Sequence, residues 1–223
     1  QDGQACSRLS RIGLAIAEDR VVAKGKWQTL YETQPCVDLA DRQNVFYGPQ
    51  SGGAFLFQED GSILKSAGDF GFGLWTPEKF ENGALGDWSS LLLINAETGE
   101  KQVVATGFRN PQGLAFDEYG QLWATDQGPR GGDELNQIEW GCNYGWPTES
   151  YGMGYGVGTL PRSDLPLNEV QGQHVLHNDP IHAFLPSIGL STIAFLPTNT
   201  ETFPLWAGDA LLGSLSGNSM LRV

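Results

Sequence analysis

The sequence predicts an all-β chain built from the blades of a β-propeller. Its composition is rich in residues that form turns, with 30 glycines and 12 prolines, and it holds 7 tryptophans as packing points. Short apolar runs alternate with polar turns, and no stretch has sustained helical periodicity. Two segments, GGAFLFQEDGSILKSAGD and QGLAFDEYGQLWATDQG, align without gaps. Such an internal repeat of short strands is typical of propeller blades.

The repeat has a constant offset of 59 positions. Its equivalent pairs are Phe57 and Phe116, Gly61 and Gly120, Ile63 and Leu122, and Ser66 and Thr125. A third, looser copy runs over residues 193–214 with a longer turn. A β-sandwich is the competing architecture, but a sandwich does not require a repeat. At roughly 55 residues for each blade, the chain would hold about four blades.

The strands follow from the apolar runs and from the turn residues between them. They are predicted at residues 9–16, 20–24, 27–32, 52–57, 62–66, 91–95, 102–105, 113–116, 121–125, 191–196, 210–214 and 220–223. The Gly- and Tyr-rich residues 150–170 are predicted to form a surface loop.

Charge and cysteine content exclude several classes of protein. The formal net charge of −13 argues against nucleic acid, whose phosphates need a basic surface, and against an anionic membrane surface. No apolar run is long enough to span a bilayer, and no signal peptide is visible. The three cysteines are an odd number, so they do not form a disulfide framework. Cys6 and Cys36 can pair, but the sequence does not show their geometry.

Residues 107–147 hold the chemistry-bearing motifs. Arg109 and Asn110 come directly before one predicted strand, and Gln127, Gly128 and Pro129 come directly after the next. Asp133 and Glu134 follow within a polar stretch. Carbonyl groups held by a Gly-Pro turn beside acidic side chains suit a hard cation that prefers oxygen ligands, such as calcium.

Three motifs in this stretch, RNPQGLAFD, QGPxxxDE and NYGWP, resemble the soluble aldose sugar dehydrogenases of the glucose/sorbosone dehydrogenase family. The resemblance implies a six-bladed propeller that uses pyrroloquinoline quinone and calcium. It implies oxidation of an aldose to its lactone, with electrons passed to an external acceptor. It also implies a periplasmic or extracellular location. Compared with the six blades of the family, residues 1–223 are expected to form one partial propeller domain. It would start inside the family's second blade and would lack the family's first blade and last region. Residues 219–223 then read as the opening strand of a late blade.

The resemblance also assigns roles to residues. Arg109 and Asn110 match residues that face the quinone, and Gln127 stands beside them in the QGP motif. The backbone carbonyls of Gly128 and Pro129 match those that hold the calcium bound to the quinone.

A second, structural calcium is implied at Glu134 and Tyr144, which bracket a strand, partly through backbone oxygens. Asp133 is adjacent and can assist. Without the resemblance, the two carboxylates would read as a solvated acidic pair and Tyr144 as a buried tyrosine.

Three family features are replaced in this sequence. Gln50 stands where the family has the histidine that takes a proton from the sugar, or Pro49 does if the alignment slips by one. Neither side chain can act as a base. Ser216 stands where the family has a lysine that reaches the quinone carboxylate. The segment that matches the floor of the family's cofactor pocket reads Phe-Leu-Pro-Ser at residues 184–187 and lacks the family's tryptophan. These changes keep open a non-catalytic propeller that binds calcium and a sugar or a protein.

Two further groups of residues have types or spacings that can bind a metal ion. His174, His177 and His182 have a spacing that can suggest a metal site, but no cysteine is near and they read as solvated or packing residues. Asp69, Asn110 and Asp133 are candidate ligands for a calcium-dependent lactonase-type propeller, if they converge on one ion.

Overall fold

A computed structural model describes residues 4–17, 20–38, 50–71, 86–152 and 174–223. Within these ranges the fold is all-β, and a 3₁₀ turn at Pro204–Trp206 is the sole helical element. The strands are β1 (Gln4–Ala5), β2 (Arg8–Ala17), β3 (Arg20–Glu32), β4 (Val37–Asp38), β5 (Gly52–Phe57), β6 (Ser62–Ala67), β7 (Ser90–Asn95), β8 (Lys101–Thr106), β9 (Pro111–Phe116), β10 (Leu122–Asp126), β11 (Asp133–Gln137), β12 (His182–Phe184), β13 (Leu190–Phe195), β14 (Ala210–Ser214) and β15 (Ser219–Arg222).

The strands form antiparallel sheets, and apart from a short two-stranded sheet of β1 and β4, strands that are neighbours in sequence pair with each other. The first four-stranded sheet has the order β5-β6-β7-β8, and the second runs β9-β10-β11-β12. A three-stranded sheet, β13-β14-β15, follows, and β2 and β3 form a long hairpin. The first strands of consecutive sheets lie side by side, β5 against β9 and β9 against β13. This arrangement of successive up-and-down sheets around their first strands is that of a propeller-type fold.

The predicted repeat is confirmed, and it explains how consecutive sheets are joined. β5 and β9 start and end 59 positions apart. At the equivalent position of the second strand, the hydroxyl of Ser66 donates to the carbonyl oxygen of Pro111 at 2.8 Å. The hydroxyl of Thr125 donates in the same way to the carbonyl oxygen of Ser191. Each repeat unit therefore uses one hydroxyl to bind the first strand of the next sheet.

Two apolar clusters lie between the sheets. The larger one joins the first and second sheets, and its members include Leu64, Leu91, Val104, Phe108, Leu114, Leu122, Ile138 and Tyr144. In it, the rings of Phe108 and Tyr144 stack with centroids 5.0 Å apart. The smaller cluster joins the second sheet to the third through Leu135, Leu190, Ile193 and Leu212. The facing surfaces of the first three consecutive sheets therefore bury apolar side chains against each other.

The sequence prediction missed four strands, the two-residue β1 and β4 as well as β11 and β12, and it misplaced β15. Residues 133–134, predicted to lie in a polar stretch, belong to β11, and His182 belongs to β12 rather than to a polar loop. Asp133 is buried in β11 because its carboxylate accepts the backbone amides of Ile188 at 3.1 Å and Leu190 at 2.8 Å. Residues 219–223 do not open a late blade, because β15 pairs with β14 as the third strand of its sheet.

The cysteines, one turn and the predicted loop can be compared with the structure. Cys6 and Cys36 form a disulfide with Cα atoms 4.7 Å apart, and Cys142 is a free thiol. The glycine in the 117–120 turn has the positive φ that the turn requires, at 77°. The predicted loop at 150–170 falls mostly outside the described residues, as does Pro49. Within the described ranges there is no helix with the length and hydropathy needed to cross a bilayer.

Thr125→Val is expected to lower the free energy of unfolding by about 1–2 kcal/mol, because it removes the buried hydroxyl that donates to the half-buried Ser191 carbonyl while keeping the side-chain volume. Urea unfolding of the purified chain measures this. Thr29→Val, on the exposed part of β3, is the matched control and should change stability by less than about 0.5 kcal/mol. Equal effects of the two substitutions would contradict a joining role for Thr125.

Candidate functional site

The motif residues meet at one end of the sheets, where the loops before β5 and β9 reach the loops after β6 and β10. The backbone N–H of Asp69 donates to the Arg109 carbonyl at 2.8 Å, and that of Phe70 donates to the Gln50 carbonyl at 3.0 Å. The N–H of Gln127 donates to the Asn110 carbonyl at 3.1 Å. Segments that are far apart in sequence are therefore held together by backbone hydrogen bonds.

Arg109 is buried at this end, with 5% of its surface exposed. Its Nη1 donates to two backbone carbonyls of the QGP motif, that of Gln127 at 2.9 Å and that of Gly128 at 2.8 Å. The guanidinium carbon lies 5.6 Å from the centre of the Trp146 ring, within reach of a cation–π interaction. The Trp146 indole in turn donates to the Asp69 carboxylate at 2.8 Å. The arginine thus links the RNPQ, QGP and NYGWP motifs.

Asn110 connects the first sheet to the second. Its Oδ1 accepts the backbone N–H of Gly52 at 3.1 Å and the side-chain amide of Gln112 at 2.8 Å. Its Nδ2 donates to the side-chain oxygen of Gln127 at 2.9 Å. These bonds fix the orientation of the amide plane and bring Gln127 beside it.

Asp126, which the sequence reasoning missed, holds the Arg-Asn pair in place. It is buried at the end of β10, and its two carboxylate oxygens accept the backbone amides of Arg109 at 2.8 Å and Asn110 at 2.6 Å. Burial raises the pKa of Asp126 to about 7, and the charge of Glu134, paired opposite it on β11, adds to the rise. The position stands directly before the QGP motif, so the repeat could have pointed to it: Ala67 occupies it in the first sheet.

The Gly-Pro turn presents backbone carbonyls, as predicted, and these already have hydrogen-bond donors. The Gly128 carbonyl accepts Arg109, and the Pro129 carbonyl accepts the hydroxyl of Ser187 at 3.2 Å. Gly128 must lack a side chain because a Cβ atom there would overlap the Gly132 carbonyl. Carbonyl oxygens in such a turn are the donor type that calcium prefers, so the turn fits a cation if the present donors move.

Gly128→Ala is expected to cost about 2 kcal/mol of stability and to displace the Gly128 carbonyl, since the added methyl group has to push the Gly132 backbone away. Any rise in melting temperature that calcium produces at this turn, once Arg109 has released the Gly128 carbonyl, should then be lost. Gly131→Ala is the control: its φ of 77° makes the substitution cost about 1 kcal/mol, but only the flexible Leu185 side chain lies near. A calcium-induced rise that survives in Gly128→Ala would argue against this turn as the cation site.

Gln50 and Ser216 differ in exposure and in their hydrogen-bond partners. Gln50 is half-buried, has a φ of 62° and is tied to the site through the Phe70 amide. Ser216 is exposed on the turn after β14, where its N–H donates to the Ile188 carbonyl. Phe184, at the position where the family has its tryptophan motif, lies in β12 opposite Asp133.

The two residues predicted to share a structural calcium have separate side-chain partners. Glu134 is buried with an oxygen 3.4 Å from His174 Nε2. The Tyr144 hydroxyl donates to the Gln137 carbonyl at 2.6 Å and accepts the Glu139 amide at 2.9 Å, so only its backbone remains for a cation. Both carboxylates of the 133–134 pair are buried rather than solvated.

His174 is a packed residue rather than a solvated one. Burial lowers the pKa of His174, but its hydrogen bond to Glu134 and the charge of that carboxylate outweigh burial, and the net shift is upward. Its Nδ1 lies 2.8 Å from the Asn178 carbonyl. His182 is exposed with its ring edge-on to Phe184.

Glu149 holds the segment that carries His174. Its carboxylate accepts the backbone amides of Val175, Leu176 and His177 and lies 2.9 Å from His177 Nδ1. Burial opposes ionisation, but these donors prevail and lower the pKa of Glu149. No motif in the sequence indicates this role, because the hydrogen bonds of Glu149 join residues 26–28 positions apart.

The lactonase-type ligand set has divergent partners. The carboxylate of Asp133 accepts amides at the start of β13, the carboxylate of Asp69 accepts the Trp146 indole, and Asn110 binds Gly52, Gln112 and Gln127. Among the described residues, the one His, Cys, Asp and Glu grouping of metal-binding dimensions is Cys6, Glu32 and Cys36. Its two sulfurs form the disulfide, so it is not a metal site.

Comparisons with known proteins agree with the motifs. The family "Glucose / Sorbosone dehydrogenase" matches residues 89–223. The chain is 33% identical over 131 residues to the aldose sugar dehydrogenase YliI of Escherichia coli K12. It is 53% identical over 45 residues to the quinoprotein glucose dehydrogenase B of Acinetobacter calcoaceticus. A solved structure of a glucose dehydrogenase superposes with a TM-score of 0.76 at 27% identity and covers 99% of this chain.

The matched relatives are longer than this chain. The alignment to the E. coli protein covers 58% of this chain and 33% of that protein, and the alignment to the A. calcoaceticus protein covers 20% and 9%. The superposition covers 60% of the glucose dehydrogenase structure.

Proposed function

Because the chain belongs to the glucose/sorbosone dehydrogenase family, we propose that it is a quinone- and calcium-dependent aldose dehydrogenase-like protein of six-bladed propeller type. Its substrate class is a small-molecule sugar, oxidised to a lactone with electrons passed to an external acceptor. The observation that supports this most directly is the junction of Arg109, Asn110 and Gln127, whose polar groups converge at one end of the sheets. The quinoprotein relative supports the choice of pyrroloquinoline quinone as cofactor.

The residues at this junction fit an anionic quinone in their chemistry. A guanidinium binds carboxylate and quinone oxygens through paired donors, which suits Arg109, and the amides of Asn110 and Gln127 can orient the same ligand. The quinone would supply the acceptor for the hydride that leaves the sugar. The backbone of Gly128 and Pro129 would hold the calcium, and Glu134, with the Tyr144 backbone and Asp133, is the proposed second calcium site.

The position of the base is where this chain departs from the family. Gln50 can donate to or accept from a sugar hydroxyl, but an amide does not take up a proton at neutral pH. Ser216 supplies a hydroxyl where the family has a lysine, so it adds no positive charge beside a carboxylate. These two replacements favour the second candidate function, a calcium-binding propeller that binds a sugar or a protein without turnover.

We also propose a periplasmic or extracellular location. The disulfide between Cys6 and Cys36 supports it, because disulfides persist in oxidising compartments and are rare in the reducing cytosol.

Titration of the purified chain with pyrroloquinoline quinone in the presence of calcium, followed by its absorbance, tests the proposal. One-to-one saturable binding, followed by dye reduction with an aldose, is the expected result for the dehydrogenase. Saturable binding without turnover would favour the non-catalytic candidate. Absence of quinone binding, with calcium still raising the melting temperature, would rule out the dehydrogenase for this chain.

A further inference from the structure

One carbonyl group in this site has a proposed partner and a different observed partner. The Gly128 carbonyl is a proposed calcium ligand, yet it accepts Nη1 of Arg109 at 2.8 Å. The neighbouring Gln127 carbonyl accepts the same Nη1 at 2.9 Å. The guanidinium is therefore the cation that these two carbonyls bind in this structure.

We propose that Arg109 is an internal cation that occupies the carbonyl pair of Gln127 and Gly128 and excludes calcium from it until the side chain moves away. This inference rests on the proposed calcium site but not on dehydrogenase activity. It assigns Arg109 a role in controlling the cation site as well as the proposed role in binding the quinone.

The geometry indicates that Arg109 and calcium cannot bind the Gly128 carbonyl at the same time. Arg109 is 5% exposed, and its guanidinium is also packed near the Trp146 ring, so it is held in position rather than free to lean aside. A calcium ion ligated by the Gly128 oxygen would lie close to the positive charge of Nη1. Two positive charges at that separation repel more strongly in a buried site than in water, because less solvent screens them.

The backbone around the arginine is fixed independently of its side chain. Both Arg109 and Asn110 donate their backbone amides to the buried carboxylate of Asp126. A change at the Arg109 side chain should therefore leave these two bonds in place, and the carbonyl pair should remain in position to bind a cation.

Calorimetric titration with calcium alone, without quinone, measures the predicted competition. Arg109→Met removes the charge and the donor but keeps an unbranched apolar chain against Trp146, and we expect it to lower the Kd for calcium at least tenfold. Arg109→Lys keeps the charge and should bind calcium no more tightly than the parent. Arg109→Gln is the second neutral variant, for use if the methionine variant does not fold.

Arg222→Met is the matched control. Arg222 also lies over a tryptophan, with its guanidinium carbon 5.3 Å from the Trp206 ring centre, and also donates to a backbone carbonyl, that of Leu205. It is far in sequence from the proposed site and partly exposed, so its loss should leave the Kd for calcium unchanged. Repeating the titrations in a Glu134→Gln background separates this site from the proposed second one.

Two results would overturn the inference. One is a folded neutral variant whose Kd for calcium equals or exceeds that of the parent. The other is a crystal structure of the parent grown at saturating calcium in which the ion binds the Gly128 oxygen while Nη1 still bonds it. If the neutral variants gain calcium affinity but no protein binds quinone or oxidises an aldose, the proposed function fails and the inference stands.

Discussion

Gln50→His is expected to raise the aldose-dependent dye reduction of the protein, supplied with quinone and calcium, by about a hundredfold or more. A positioned base contributes roughly 10²–10⁴-fold to a proton-transfer step, and an amide supplies none of it. The exchange is structurally mild: Gln50 has a φ of 62°, and histidine is among the non-glycine residues that tolerate this region best. The Gln50 backbone carbonyl would still accept the Phe70 amide.

Gln50→Asn is the control that distinguishes the effect of a base from the effect of a residue that tolerates a positive φ. Gln50→Asn also tolerates a positive φ but cannot take a proton, so it should leave the rate at the parent level. The rate with Gln50→His should rise with pH as the imidazole loses its proton near its ordinary pKa, about 6.5. A histidine variant that binds quinone normally but reduces dye no faster than Gln50→Asn would show that this position is not where the base is missing.

The fold was largely predictable because the repeat is local and the pattern is strong. The two segments of the repeat align without gaps, and a shared glycine marks the turn of each pair, so β5, β6, β9 and β10 were predicted to within a residue or two. The outer strands of the second sheet were missed because β11 is polar. Its burial follows from partners at residues 188–190 that lie more than fifty positions away.

The residues of the site were predictable from the sequence, but the hydrogen bonds between them were not. The resemblance of the motifs to the family indicated Arg109, Asn110 and Gly128 as site residues. The structure brings them into one hydrogen-bonded junction. Nothing in the spacing showed that the arginine would bind the very carbonyl assigned to calcium. Asp126 and Glu149 were missed for a related reason, because each acts by accepting backbone amides, which are present at almost every residue; for Asp126 the one sequence signal was its difference from Ala67 at the equivalent position of the repeat.

Lys65 gives rise to the second large effect, which concerns stability. It lies in β6 with 4% of its surface exposed, and its Nζ donates to the Ser7 hydroxyl at 2.8 Å and the Ser66 carbonyl at 3.0 Å. Both acceptors are neutral, so neither compensates the buried charge as a carboxylate would. Burial lowers the pKa of Lys65 to about 8 from its ordinary value of 10.5.

The direction of the pH effect follows from proton binding in the two states. Between pH 8 and 10.5 the unfolded lysine keeps its proton while the folded lysine loses it, so the unfolded state binds more protons and stability rises with pH. Below pH 8 the cost of the buried charge is present in full. A shift of this size corresponds to roughly 3 kcal/mol across the window.

Lys65→Met should therefore abolish this rise. The loss of two hydrogen bonds changes the free energy of unfolding by about the same amount at every pH. The loss of the titrating group removes the dependence of that free energy on pH. Urea unfolding of parent and variant at several pH values from 7 to 10.5 gives the difference between the two proteins, in which contributions that they share cancel. Lys24→Met, on the exposed part of β3, should leave the parent profile intact. A parent-minus-variant difference that is flat from pH 8 to 10.5 would mean that Lys65 is paired or hydrated in the folded chain, and that the contact of the segment around Ser7 with β6 does not bury a charge.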